Sequence, residues 1–166
     1  MTTDEYLARA IELSRSFEDE PGLTPFGAVV VLDGEIIGEG ISSVGALVDP
    51  TAHAEVLAIR QACRTIGNHL LQGATLYSSA YPCPLCLMAC YWSQVATVWY
   101  AAELEDSAPA GFEDTEFYRE LTLPPAERSL PVRGVGGTVR ATAAGAIADW
   151  HTAWQREAER AAGEDS

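Results

Sequence analysis

Lysine is absent from this sequence of 166 residues, and all ten of its basic residues are arginines. They stand against 24 aspartates and glutamates, which gives a formal net charge of −14 at pH 7. Affinity for DNA or RNA comes largely from basic side chains that displace condensed counterions, so nucleic acid is a poor partner for this chain. Anionic membranes are excluded for the same reason.

Long hydrophobic runs are also missing, and cysteine is scarce. The first residues hold no basic stretch followed by an apolar one, and no segment has 18 uninterrupted apolar residues. We therefore expect neither a signal peptide nor a transmembrane helix, and we expect a cytoplasmic protein. Four cysteines are too few for a disulfide scaffold in a chain of this length, so the C-x-x-C pair of Cys83 and Cys86 indicates metal or redox chemistry.

Apolar residues make up 48% of the chain, enough for one continuous core, and we expect residues 1–166 to form a single domain. Helical spacing of apolar positions predicts a first helix that begins with a Thr2–Glu5 capping box, and a C-terminal helix over about residues 142–162. Asp33-Gly34 between two apolar runs predicts a β-hairpin.

Alternating strands and helices follow this hairpin. We predict helices over residues 52–66, with His53 in the first turn, and over residues 82–92, with a short one around residues 112–121. Strands are predicted over residues 74–79 and 96–101. This order indicates an α/β fold with parallel pairing and helices on the faces of the sheet.

One pattern in the sequence carries chemistry. His53-Ala54-Glu55 is followed, 27 residues after Glu55, by Pro82-Cys83-Pro84-Leu85-Cys86, which fits the H-x-E…P-C-x-x-C pattern of zinc deaminases. One imidazole and two thiolates are good zinc ligands, and three protein ligands leave a tetrahedral position for water. Glu55, the only carboxylate in the motif, is the candidate group for moving the proton of that water.

Other interpretations of these cysteines exist. A C-x-x-C pair alone indicates a redox pair or half of a four-ligand structural zinc site as readily as a catalytic centre. His53 and Glu55 favour catalysis over both. Cys63 and Cys90 lie on helical stripes and are expected to be core residues.

Further segments of the chain carry a resemblance to a known family. They are residues 25–29 (PFGAV), 49–56 (DPTAHAEV), Tyr91-Trp92, Tyr100-Ala101-Ala102 and residues 110–114 (AGFED). The chain resembles the cytidine and deoxycytidylate deaminase superfamily, and within it the bacterial guanine deaminases, over most of residues 5 to about 131. This resemblance implies a three-layer α/β/α sandwich with a mixed five-stranded sheet.

The resemblance also implies roles for residues of the site. His53, Cys83 and Cys86 match the residues that hold Zn²⁺ in that family, and Glu55 matches the proton shuttle. Phe26 and Trp92 match residues that line the base pocket, Asp114 matches an acid that contacts the amino and ring N–H groups of the purine, and Ala54 is a further candidate contact. Ser42 stands where the family has an orienting Asn, and Tyr81 where it usually has Glu, so both are candidate determinants of specificity.

The predicted function is therefore zinc-dependent hydrolytic deamination of a free nucleobase or a related aminated heterocycle, with release of ammonia. Guanine, a modified guanine or an amino-triazine such as ammeline ranks first because of Asp114. Three alternatives remain: a cytosine or cytidine deaminase, a tRNA adenosine deaminase, which the charge of −14 disfavours, and a non-catalytic zinc-stabilised interaction module.

The expected partners are a small heterocyclic base and a second copy of the chain. In the family that this chain resembles, the C-terminal segment supplies an aromatic residue to the pocket, often by exchange between subunits, and Trp150 and Trp154 are the candidates for it here. Large aromatic residues are numerous for one small core, and this also favours a homodimer; they are Tyr91, Trp92, Trp99, Trp150 and Trp154.

Overall fold

The protein is described here by a computed structural model that covers the backbone of residues 1–164 and the side chains of residues 1–160. Its helices and strands are, in chain order, α1 (Thr3–Ser14), β1 (Gly27–Leu32), β2 (Glu35–Ile41), α2 (Val44–Leu47), α3 (Ala54–Ile66), β3 (Thr75–Ala80), α4 (Pro84–Ser93), β4 (Thr97–Ala102), α5 (Leu104–Ser107), α6 (Asp114–Thr122) and α7 (Gly137–Glu164). Thr2 caps α1, and its capping box with Glu5 is formed as predicted.

The strands form one mixed sheet in the order β2-β1-β3-β4. The predicted hairpin joins β1 and β2, with Asp33 and Gly34 both at positive φ (52° and 83°) as a tight hairpin turn requires. The predicted parallel pairing is found between β3 and β4 but not between β1 and β3, which are antiparallel. The reason is the hairpin, because it inserts the reversed strand β1 between β2 and β3.

The expected fifth strand is not formed within residues 1–164, where the sheet has four strands. The segment between α6 and α7 contains a 3₁₀ turn (Pro125–Glu127) and no ladder. Pro124, Pro125 and Pro131 cannot donate to a ladder, and the glycines at 134 and 136 weaken any strand. The α/β fold is thus confirmed, with one strand fewer than expected.

Helices lie on both faces of the sheet, and they bury β1 on both sides. Ala28 and Val30 belong to an apolar cluster with α3, whereas Val29 and Val31 belong to a second cluster with α1. This alternation is that of a strand whose successive side chains point to opposite faces. The near-continuous apolar run of β1 is therefore explained by its central place between two helical layers.

Strand β2 lies unusually close to α3. An added Cβ at Gly40 would lie 2.0 Å from the carbonyl oxygen of Ala54, and one at Gly38 would lie 2.3 Å from that of Ala58. The two glycines therefore let the strand backbone pack directly against the helix. This packing sets the position of the N-terminal turn of α3.

The described chain divides into two compact units, Met1–Thr122 and the part from Leu123 onward. The second unit contains α7, which begins five residues earlier than the helix predicted for residues 142–162. Within α7, Ile147, Trp150 and Trp154 are exposed.

Among the residues that the structure describes, no helix combines the length and the hydrophobicity needed to span a membrane. The single-domain organisation of residues 1–166 stays a prediction.

Candidate active site

His53 lies at the start of α3. It is the N-cap residue, with extended backbone angles (φ −73°, ψ 153°), and not part of the first turn as predicted. The difference has a local cause: Asp49 Oδ1 accepts hydrogen bonds from the backbone and the hydroxyl of Thr51, at 2.8 and 2.7 Å, and so holds the approach to the helix in a turn. Glu55 then occupies the first turn of the helix.

Cys83 has the corresponding position on α4. It is the N-cap residue (φ −66°, ψ 168°), and Pro84 takes the first helical position. Proline suits that position because its φ is already helical and its missing N–H would have no partner in the helix. It also favours an extended conformation for the residue before it. Cys86 consequently follows in the first turn, and the two sulfurs lie 3.5 Å apart.

The three predicted zinc ligands converge on one point. The Nδ1 atom of His53 lies 3.4 Å from the sulfur of Cys83 and 3.4 Å from that of Cys86. Tetrahedral coordination at ordinary Zn–S and Zn–N distances places the sulfurs about 3.8 Å apart and each sulfur about 3.6 Å from the nitrogen. The spacing of the donors, and their kind, therefore fit zinc, and these residues are placed to hold the ion.

The electrostatics of this cluster suit a cation. Hydrogen bonds with Cys86 and His53 lower the pKa of the Cys83 thiol to about 4. The hydrogen bond with Cys83 raises the pKa of His53. A thiolate therefore forms readily at this site, and a divalent cation would displace the protons that the cluster otherwise shares.

Glu55 lies beside the cluster and is buried. Its Oε1 accepts a hydrogen bond from the Ser78 hydroxyl at 3.1 Å, and its Oε2 lies 3.2 Å from the sulfur of Cys86. Burial raises the pKa of the Glu55 carboxyl. A carboxyl with a raised pKa, held with one oxygen toward the metal ligands, has the properties of a general acid–base.

Cys90, the cysteine on the same helix as Cys86, is not part of the cluster and does not complete a four-ligand structural site. Among the described residues the candidate metal site consists of His53, Cys83 and Cys86. Cys90 belongs to the core cluster with α3, and burial raises the pKa of its thiol to about 12. Three protein ligands favour a catalytic over a structural metal site.

A cavity of about 420 Å³ opens onto Glu55 and onto two of the metal ligands, His53 and Cys83. It contains five of the predicted substrate-contact residues: Phe26, Ser42, Ala54, Tyr81 and Asp114. Its lining also includes residues from the loop before β1, from α2, from the segment that leads into α6 and from α6 itself, namely Thr24, Val44, Gly111, Phe112, Glu113 and Phe117.

Trp92 is the one predicted contact that the structure does not bring to this cavity. It is 84% exposed. A helix turns about 100° per residue, so nine residues separate Cys83 and Trp92 by roughly 180° around α4. With Cys83 directed toward the metal cluster, Trp92 must lie on the opposite face of the helix.

Ser42 and Tyr81, the two residues that differ from the family pattern, both contact neighbouring side chains. The Ser42 hydroxyl accepts a hydrogen bond from the Thr24 hydroxyl at 2.6 Å. The Tyr81 ring packs edge-on against Tyr100 and Tyr118, with centroids 4.8 and 5.9 Å away. Ser42 therefore forms a hydroxyl pair at the cavity wall, and Tyr81 joins an aromatic cluster.

Two aromatic residues of this region were not identified from the sequence as parts of the site. Phe112 packs edge-on against Phe26, with ring centroids 4.8 Å apart, and forms one wall with it. The Tyr118 hydroxyl donates to the Pro82 carbonyl at 2.6 Å. Their closeness to Asp114 in the sequence could have identified both residues, since Phe112 precedes Asp114 by two residues and Tyr118 follows it by one helical turn.

Known proteins resemble this chain in sequence and structure. A family model described as the cytidine and deoxycytidylate deaminase zinc-binding region matches residues 1–102. Guanine deaminase from Bacillus subtilis (strain 168) is 47% identical over 131 residues, which cover 79% of this chain and 84% of that protein. The X-ray structure of guanine deaminase from Bacillus subtilis matches with a TM-score of 0.84 and 43% identity, over 90% of this chain and 95% of the other.

A second kind of relative matches a shorter part of the chain. The tRNA-specific adenosine deaminase from Aquifex aeolicus (strain VF5) is 44% identical over 91 residues, or 55% of this chain and 59% of that protein.

Proposed function

Because the chain belongs to the cytidine and deoxycytidylate deaminase family, we propose that it removes an amino group from guanine or a closely related aminated heterocycle. The class of reaction is established: the chain is a zinc-dependent nucleobase deaminase, a hydrolase that acts on C–N bonds. The observation that carries the assignment to guanine is a carboxylate, Asp114, that lines the same cavity as Glu55 and the metal ligands His53 and Cys83.

Asp114 suits a purine edge that presents several N–H groups. A carboxylate accepts two N–H donors at once, and charge-assisted hydrogen bonds of this kind are about twice as strong as neutral ones. Partial burial raises the pKa of Asp114. It also lowers the local dielectric constant around the carboxylate, which strengthens the hydrogen bonds that this group makes to a substrate. The relative with 47% identity is a guanine deaminase, which supports the same assignment.

Glu55 moves the proton in the proposed reaction. Bound zinc, held by His53, Cys83 and Cys86, supplies Lewis-acid activation of water near neutral pH. Glu55 takes a proton from the attacking water at Oε2, the oxygen on the side of the metal ligands, while Ser78 holds Oε1. It then donates the proton to the amino group, which leaves as ammonia, and the ring carbon keeps the oxygen of the water.

The walls of the cavity suit a flat ring. Phe26 and Phe112 offer an apolar surface on one side, and Tyr81 offers a second aromatic edge. The hydroxyl pair of Thr24 and Ser42 offers polar atoms in the cavity wall, at the place where the resembled family has an amide. A hydroxyl lacks the paired donor and acceptor of an amide, so related heterocycles remain part of the proposal beside guanine.

A tRNA substrate has less support. Similarity to the Aquifex aeolicus enzyme spans 55% of this chain, and the net charge of −14 opposes an anionic loop.

The proposal includes a homodimer in which the C-terminal segment is exchanged between subunits, and a cytoplasmic location. Two features favour association of two copies. Helix α4 has no charged residue, and four of its large side chains, Leu85, Met88, Tyr91 and Trp92, are exposed. A helix that is apolar all around is normally covered. The exposed Trp150 and Trp154 of α7 likewise favour a covering partner.

The test is ammonia release by the zinc-loaded protein from guanine, 8-oxoguanine, ammeline, cytosine, 5-azacytosine, cytidine and adenine in parallel. Guanine or a related 2-amino heterocycle should be preferred. Asp114→Asn should lower kcat/KM for that substrate about tenfold to hundredfold, as expected for the loss of a hydrogen bond to a charged group.

Glu116→Gln is the matched control, since it removes a carboxylate from the exposed side of the same helix and should leave kcat/KM unchanged. A preference for pyrimidines would replace the guanine assignment by the cytosine or cytidine alternative. No ammonia from any of the seven compounds would contradict the proposal as a whole.

A further inference from the structure

Asp114 is carried by a helix with little packing of its own. No residue of α6 (Asp114–Thr122) is buried in the structure, so burial of apolar side chains contributes little to holding the helix in place. A carboxylate that orients a substrate must nevertheless be held to within a fraction of an ångström. Another interaction must therefore position α6 relative to the metal ligands.

The hydrogen bond from Tyr118 to Pro82 supplies such an interaction. Asp114 and Tyr118 are four residues apart, so they share one face of α6. The Tyr118 hydroxyl donates to the Pro82 carbonyl at 2.6 Å, and Pro82 directly precedes the metal ligand Cys83. The bond thus ties the helix that bears the carboxylate to the segment that bears the metal site.

The acceptor end of this bond is itself well held. The backbone N–H of Tyr81 donates to the carbonyl of Ala102, at the end of β4, at 2.9 Å. The following residue is Pro82, whose φ is restricted by its ring. Cys83 then begins α4. The Pro82 carbonyl is therefore a fixed reference point beside the metal ligands.

The ring of Tyr118 packs independently of its hydroxyl. It lies edge-on to Tyr81, which in turn lies edge-on to Tyr100. Removing the hydroxyl alone would leave these ring contacts in place. Burial also raises the pKa of Tyr118, so its hydroxyl keeps its proton and remains a donor near neutral pH.

We infer that Tyr118 is a positioning residue whose hydrogen bond to the Pro82 carbonyl sets the distance between the Asp114 carboxylate and the metal site, and so determines how tightly the base is held. The inference rests on the proposed function, in which Asp114 binds the base. Tyr118 acts through Asp114 and has no contact with the reacting atoms.

The test is a double-mutant cycle on the zinc-loaded full chain with the variants Tyr118→Phe, Asp114→Asn and the combination of the two. Tyr118→Phe should raise the KM for guanine about fivefold to tenfold, as expected for loss of one neutral hydrogen bond, with little change in kcat. In the Asp114→Asn background the same substitution should change KM less than twofold. The zinc content of every variant should equal that of the parent.

Tyr100→Phe is the matched control, because it removes a hydroxyl from the same aromatic cluster. That hydroxyl donates to Glu103 at 3.2 Å and has no bond to Pro82. Tyr100→Phe should leave the KM for guanine unchanged.

Three results would overturn the inference: an unchanged KM in Tyr118→Phe, an equal effect of Tyr118→Phe with and without Asp114, or a loss of zinc in Tyr118→Phe. Failure of the proposed function is a separate result, because the parent protein itself would then release no ammonia from guanine or from a related heterocycle.

Discussion

At the scale of single residues, the site depends on how Glu55 is buried. The residue is 6% exposed, and its carboxyl has polar neighbours at both oxygens, Ser78 at one and Cys86 at the other. Burial raises the pKa of the group, while hydrogen bonding keeps the charged form accessible. These two opposing effects are what the proposed role of Glu55, which accepts a proton and returns it within one turnover, requires.

The first prediction concerns this residue. Glu55→Gln keeps the shape of the side chain and removes its ability to carry a proton, so kcat should fall by about two to four orders of magnitude. Zinc should remain bound, because His53, Cys83 and Cys86 are unaltered. Steady-state ammonia release and metal analysis measure the two effects. Glu105→Gln, which alters an exposed carboxylate on α5, is the control, and activity retained by Glu55→Gln would exclude the assigned role.

At the scale of elements, two helix starts build the metal site. In each case the ligand is the N-cap residue of a helix: His53 for α3 and Cys83 for α4. Unpaired N–H groups at these ends favour negative charge on nearby thiolates and carboxylates. The close packing of β2 against α3 through Gly40 holds one of these helix starts in place.

A second prediction follows for that packing. In Gly40→Ala the new Cβ would meet the backbone carbonyl of Ala54 at 2.0 Å, which the helix can relieve only by shifting. The free energy of unfolding should fall by about 2 kcal/mol or more, the cost of overpacking. Because Ala54 lies between His53 and Glu55, kcat should fall too. Urea unfolding and ammonia release measure both quantities.

Gly134→Ala is the control for this substitution. No atom lies within 4 Å of an added Cβ at that position, so the free energy of unfolding should change by less than about 0.5 kcal/mol. Equal stability of Gly40→Ala and the parent protein would show that β2 does not constrain α3.

At the scale of the whole molecule, charge and exposed apolar surface point to different partners. The net charge of −14 opposes polyanions. The uncharged outer face of α4, in contrast, offers Trp92 at 84% and Tyr91 at 70% exposure. Side chains of this size are enriched where protein surfaces meet. The surface thus favours another protein chain, and the proposed homodimer provides one.

The third prediction is an oligomeric state. Sedimentation velocity should show a dimer for the parent protein, and Trp92→Glu should shift it toward the monomer, because a charge would then have to be buried in the interface. Phe17→Glu, a substitution of a comparably apolar side chain that is 44% exposed after α1, should leave the dimer intact. A parent protein that sediments only as a monomer would rule out the proposed homodimer.

Local chain geometry explains what the sequence by itself determined. His53, Cys83 and Cys86 were predicted as zinc ligands, and Glu55 as the proton carrier, from residue types and their spacing in the motif, and the structure brings the three ligands together. Cys83 and Cys86 are three residues apart at the start of one helix, and His53 and Glu55 are two residues apart at the start of another, so each pair has few possible arrangements. The Thr2–Glu5 capping box and the Asp33-Gly34 turn were predicted on the same basis, since each depends on residues close together in the chain.

Packing between distant segments decided the rest. Tertiary structure inserted β1 between β2 and β3 and brought Phe112 against Phe26, 86 positions earlier in the chain. It also placed the Tyr118 hydroxyl on the Pro82 carbonyl. None of these has a local signature, because each follows from how helices and strands far apart in sequence bury their apolar faces together.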